Sequence, residues 1–265
     1  MNRPWALAGL VVAWAASPSG AVDAPGGERV HIERARVVVE FERGALTEAE
    51  ANAFAELADK GVADVEALVA SSLPAWAQRT RRVRFIVADN AGMSRSYGRT
   101  VVLPLDRVRT RSAPYLHETV HALVPSRGDS VWLSEGLASY LESWVSENRG
   151  GYDAHVFTGA GDRGIHAAAR RWVASDPGRA VLPWVGAHGE PPRLEENRAG
   201  VARPFYVLSQ SLTKFLVDGH GLGDAVRLLT SGDGDFVGVT GRSADQWKAD
   251  WLLTLLRLPA TLAPP

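Results

Sequence analysis

A chain of 265 residues, 46% hydrophobic and 22% charged, has the composition of a globular protein with one sizeable domain or two small ones. Its formal net charge of -1, with acidic and basic residues mixed throughout, leaves no electrostatic footprint for nucleic acid or for an anionic membrane. It contains no cysteine, which excludes disulfides and thiolate metal sites. Any zinc must then be held by histidine and carboxylate, a donor set typical of sites with an open position for chemistry.

In chain order, residues 1–24 read as a secretory signal: Asn2 and Arg3, an apolar run from Trp5 to Ala16, then small residues that suit cleavage after Ala21 or Ala24. A run of about a dozen is shorter than the roughly 20 apolar residues that span a bilayer, so removal is expected. The mature chain is then expected to be secreted or periplasmic, with no stable membrane insertion. A β-branched stretch at 34–41 predicts a strand, and 46–73 has helical spacing interrupted at Gly61. Further strands are expected at 82–89 and 99–105, with Pro104 favouring a sheet edge for the second. From residue 113 the pattern turns helical, with helices near 113–124, 132–147, 163–175, 204–218, 222–230 and 243–257. Between two of these, the Pro- and Gly-rich stretch 176–203 predicts a long loop bordering a cleft. The expected class is α+β: after the signal, one domain over 25–265 with a β-containing part at 25–111 and a helical part at 112–265.

The stretch that carries chemistry starts at "HETVH", His117 to His121. On a helix, positions i and i+4 share a face one turn apart, so both imidazoles can bind one ion while Glu118 serves as general base. Ser112 is expected to cap this helix and Pro114 to sit in its first turn, with Leu116, Val120, Leu123 and Val124 as the apolar stripe. Thirteen residues separate His121 from Glu135. The intervening "VPSRGDS" can end one helix and turn the chain into a second that presents Glu135 back to the histidines. Glu142, two turns further on, is the competing ligand, or else an outer partner of a ligating histidine.

Over Tyr115 to Glu142 the sequence resembles the gluzincin metallopeptidases, and "WLSEGLASYLE" is similar to the segment that carries the third zinc ligand in aminopeptidase N relatives. The resemblance implies Zn²⁺ bound by His117, His121 and Glu135, with Glu118 activating water, in a fold whose sheet has an edge strand near the cleft. The spacing to Glu135 is shorter than in thermolysin or aminopeptidase N. The chain also lacks the Gly-x-Met-Glu-Asn segment that binds a free amine in the aminopeptidases, which points to endopeptidase action. Gluzincins commonly stabilise the oxyanion with a tyrosine or histidine from a later helix, and Tyr206 is the candidate. On its helix Phe205, Leu208, Leu212, Phe215 and Leu216 make a core stripe, whereas Tyr206, Gln210 and Thr213 share another face; a merely packed Tyr206 is the competing view.

Other features read as structural. His31, His155, His166, His188 and His220 have no partner at ligand spacing, Trp132 is expected to wedge the two motif helices together, and Arg107, Arg109 and Arg111 form a solvated strip. The expected function is a secreted zinc metallopeptidase acting on a peptide or protein. The alternatives are a non-catalytic zinc-stabilised binding or scaffold protein, and a zinc hydrolase of another amide or ester.

Overall fold

A computed structural model describes residues 28–78, 81–152, 161–189, 191, 200–231 and 235–259. The expected signal at 1–24 and His155 lie outside them.

The fold is α+β, a small mixed sheet followed by a helical part. The strand expected at 34–41 is β2 (Val37–Glu42), and an unexpected strand before it, β1 (Arg29–Glu33), pairs with it antiparallel. Next comes α1 (Glu48–Val69), opened by a capping box in which Thr47 and Glu50 satisfy each other's backbone amides. Then follow β3 (Val83–Ala88), β4 (Arg95–Tyr97) and β5 (Thr100–Pro104). The order across the sheet is β1-β2-β3-β5-β4, with β2, β3 and β5 parallel and β4 antiparallel to β5. Along β2, β3 and β5 the buried residues alternate, and Val39, Phe85 and Val101 meet Phe54, Ala58 and Val62 of α1 in one core.

Two expectations fail here for reasons of packing. Gly61 does not interrupt α1; a Cβ there would lie 2.8 Å from Leu116, so glycine marks a close approach to the helix that carries the histidines. Pro104 does not put its strand at the edge, because β5 lies between β3 and β4. Proline is tolerated there because it is the last residue of β5, and β4 pairs only as far as Val102. The edge on this side is the short β4, which the sequence did not reveal.

The helical part runs α2 (Leu105–Arg109), α3 (Tyr115–Leu123), α4 (Val131–Arg149), α5 (Ile165–Ala174), α6 (Asp176–Val181), α7 (Ala202–His220), α8 (Leu222–Ser231), α9 (Phe236–Thr240) and α10 (Ala244–Arg257). Six of these match the helices expected from apolar periodicity to within a few residues. Part of the loop expected at 176–203 is helical instead: Ser175 caps α6 by accepting from Gly178 N, and Pro177 falls in its first turn, where it opens a helix instead of breaking one. Residues 190 and 192–199 of that stretch lie outside the described residues. At α3 the N-cap is Pro114, with no side-chain cap, and Ser112 instead contacts the Thr110 hydroxyl at 2.9 Å. Trp132 is buried, but its ring stacks on Phe236 of α9, 5.9 Å between centroids. Among the described residues no helix is long and apolar enough to cross a membrane.

Candidate metal centre

Three helices and one strand build the site. Helix α3 is buried on nearly every side, between α1, α4 and the sheet edge. Its apolar residues Leu116, Val120, Leu123 and Val124 are all buried, as their spacing predicts, and this anchors the adjoining face that carries His117 and His121. The two imidazoles stand edge to face, 4.8 Å between centroids, with their Nε2 atoms 3.1 Å apart. Glu135, on the second turn of α4, brings Oε2 to 3.1 Å from His117 Nε2 and 3.4 Å from His121 Nε2. Among the described residues no other three histidine, cysteine or acidic side chains converge in this way.

That triangle fits one small ion. Three ligands of a tetrahedral zinc, bound at about 2.0–2.1 Å, lie roughly 3.3 Å from one another. The distances found, 3.1, 3.1 and 3.4 Å, are of that size, and the donors are two neutral-capable imidazoles and a carboxylate. Without an ion the same closeness shows in the electrostatics. Burial alone would push His117 down, but the hydrogen bond to Glu135, with Glu142 and Glu118 nearby, raises it to about 9. Burial works against ionisation of Glu135 as well, yet the two histidines hold its carboxyl far below the usual range.

The outer contacts of the histidines also come from α4. Ser134 Oγ lies 3.3 Å from His121 Nδ1, close enough to accept its proton and leave Nε2 as the lone-pair donor. Glu142 is 2% exposed, and its Oε2 lies 3.9 Å from His117 Nδ1. Glu142 therefore faces the far nitrogen of His117, whereas Glu135 faces the near one.

Glu118 is 7% exposed, and burial, the largest influence on it, raises its pKa. Ser96 of β4 comes near enough to this carboxyl to lower its pKa a little against that burial, so the sheet edge meets the site here. Neither Ser96 nor Ser134 was singled out in the sequence. The signal for β4 was Gly98, φ 56°, between "RSY" and "RTVVL", a glycine that turns one short strand into the next.

Helix α7 brings Tyr206 to the site: its ring is 6.0 Å from that of His117 between centroids. The rest of the expected cleft face is elsewhere. Gln210 and Thr213 are fully buried between α7 and α4, where Gln210 Nε2 donates to Ser143 Oγ at 2.9 Å and Thr213 lies against Gly136. The remaining described histidines stay apart; His166 meets Ser211 Oγ at 2.8 Å, and His220 pairs with Asp224 at 3.5 Å.

Comparison of the chain with protein-family models, with curated proteins and with solved structures gives no match.

Proposed function

We propose that this protein is an exported zinc metallopeptidase of the gluzincin type, in which His117, His121 and Glu135 hold the metal and Glu118 is the general base. The observation that carries this is the triangle of His117 Nε2, His121 Nε2 and Glu135 Oε2, with a buried carboxyl of raised pKa next to it in the chain. A zinc ion bound there would supply Lewis acidity toward a carbonyl and make water a stronger nucleophile near neutral pH.

The protein's own groups account for the other parts of such a reaction. Glu118, one position beyond His117 on α3, points about 100° away around the helix and is free of ligand duty. Its carboxylate takes a proton from the attacking water and returns it to the leaving amine, and a pKa raised by burial suits that exchange near neutrality. The Tyr206 hydroxyl, carried on the ring beside His117, is the candidate donor to the developing oxyanion. A peptide is the substrate class best supported, because β4 is a terminal strand of the sheet and packs beside α3. Its outer edge offers backbone groups to an extended chain, and Tyr97 on it is 59% exposed.

Glu118→Gln tests the proposal. The variant is expected to retain one zinc per chain by elemental analysis and to lose about 10²–10⁴-fold in hydrolysis of whatever the wild type cleaves from a peptide library. Unchanged turnover with metal bound would remove Glu118 as base. A zinc-loaded wild type inert toward peptides, proteins and esters would favour the scaffold alternative.

A further inference from the structure

Each of the three parallel strands is entered through an arginine: Arg36 precedes β2, Arg82 precedes β3 and Arg99 precedes β5. Parallel register lines up these entry points, since Val37 pairs with Val83 and Arg84 with Thr100. Backbone bonds from Val83 N to Arg36 O (2.8 Å) and from Arg84 N to Arg99 O (2.9 Å) tie the row together. Neighbouring strands lie about 4.8 Å apart, so three guanidinium stems start side by side at one end of the sheet. The end of α1 and the segment after it face this row across a cavity of about 430 Å³, lined by Arg36, Arg81, Arg82 and Arg99 among others. Its lining includes a single carboxylate, Glu66, and an apolar wall to which Leu123 belongs.

The charges there are unevenly matched. Glu66 is divided between Arg36 and Arg99, 3.4 Å from each, longer than the roughly 2.7–2.9 Å of a tight charge-assisted bond. Arg36 also reaches Asp59 at 4.0 Å, and Arg82 pairs with Glu33, but both of those carboxylates lie outside the cavity lining. Among the described residues, the ion pairs of these four arginines draw on three carboxylates, Glu66, Asp59 and Glu33. Arg99 is largely buried, its side chain 18% exposed, so this charge is held in place by the protein and is not free to swing into solvent.

We propose that this cavity is a binding site for a small oxyanion-bearing ligand, a phosphate monoester or a carboxylate with a short apolar tail. Guanidinium forks match either head group through paired N–H donors. The tail is accommodated by the apolar wall, and the volume falls within the about 300–1,000 Å³ of small-molecule sites. Leu123 is the last residue of α3, so a ligand here would touch the helix that carries both histidines. The site stands whether or not the metal centre is catalytic.

Isothermal titration calorimetry of the purified protein at constant ionic strength, with inorganic phosphate, butyl phosphate and pentanoate as probes, tests it. Saturable one-site binding is expected, with butyl phosphate about tenfold tighter than inorganic phosphate because its tail leaves water. Whether butyl phosphate or pentanoate binds more tightly identifies the head group. The double variant Arg81→Ala/Arg82→Ala should weaken binding by about tenfold or more, through loss of charged donors. Glu66→Gln should tighten it several-fold by removing the carboxylate that competes with the ligand. A disturbed fold cannot produce that opposite pair of effects. No saturable binding of any probe at millimolar concentration, unchanged affinity in the arginine double variant, or weaker binding in Glu66→Gln would each overturn the proposal.

Discussion

Glu135 and Glu142 show how much can turn on a single side chain. Both lie on α4 and both face His117, but Glu135 stands at Nε2 and Glu142 beyond Nδ1. Under the proposed function the first is a ligand, and the second, 3.9 Å from Nδ1, acts on the ring through its charge and raises its basicity. Losing a partner of the second kind typically costs 10- to 100-fold in metal affinity. Glu142→Gln should therefore bind zinc about 10- to 100-fold more weakly, and Glu135→Ala more weakly still, measured by competition with a chelating dye. A larger loss in Glu142→Gln would exchange the two roles. Ser134 adds a further constraint at this scale: with its hydroxyl at Nδ1 of His121, one helix supplies the third donor and the outer contacts of both imidazoles.

At the scale of elements, the site depends on how closely α4 and α7 approach. Their shared surface is built from small polar residues, Ser139, Ser143, Ser209 and Thr213 among them, all fully buried. Gly136 sits where the two helices are nearest: a Cβ there would meet the Ser209 carbonyl oxygen at 2.5 Å and press on the Thr213 hydroxyl. Backbone cannot yield as a side-chain tip can. Gly136→Ala should thus destabilise the protein by about 1–3 kcal/mol. Because Glu135 is the preceding residue, the same change should weaken zinc binding. Gly61→Ala is the internal comparison, since its nearest neighbour is the movable end of Leu116. Calorimetric melting that found Gly136→Ala as stable as Gly61→Ala would show that α4 and α7 have slack between them.

For the whole molecule, the absence of cysteine excludes disulfides, which leaves packing, and under the proposed function a metal, to hold the fold. The core runs without a break from the sheet and α1 through α3 and α4 to α7, so a metal bound between α3 and α4 would brace its middle. A ligand that binds only the folded state at 100 times its Kd stabilises by about 2.7 kcal/mol. For a chain of this size that corresponds to a Tm rise of roughly 5–10 °C on adding zinc to chelator-treated protein. The rise should shrink on acidification, because the imidazoles must be unprotonated to bind. His117→Ala should show none of it, and an equal rise in that variant would place the metal elsewhere.

Apolar periodicity was enough to locate α3, α4, α5, α7, α8 and α10, because a helix is decided by contacts between residues three and four apart. The same local rule put His117 and His121 on one face, and it is why the donor pair could be read before any fold was known. Long-range meetings were not legible in this way. No local pattern says that Glu135 faces Nε2 and Glu142 Nδ1, that Tyr206 reaches His117 while Gln210 and Thr213 are buried against α4, or that Ser96 touches Glu118. Gly61 and Pro104 were misread for the same cause: each was judged by its own backbone preference, whereas its place depended on a neighbouring helix or strand. The arginines at 36, 82 and 99 lie far apart in the chain, and only the parallel register of β2, β3 and β5 makes them one charged row. Spacing along a helix is written in the sequence because it follows from the geometry of one turn; which elements meet is decided by burial of the whole apolar surface at once, and that is a property of the tertiary structure alone.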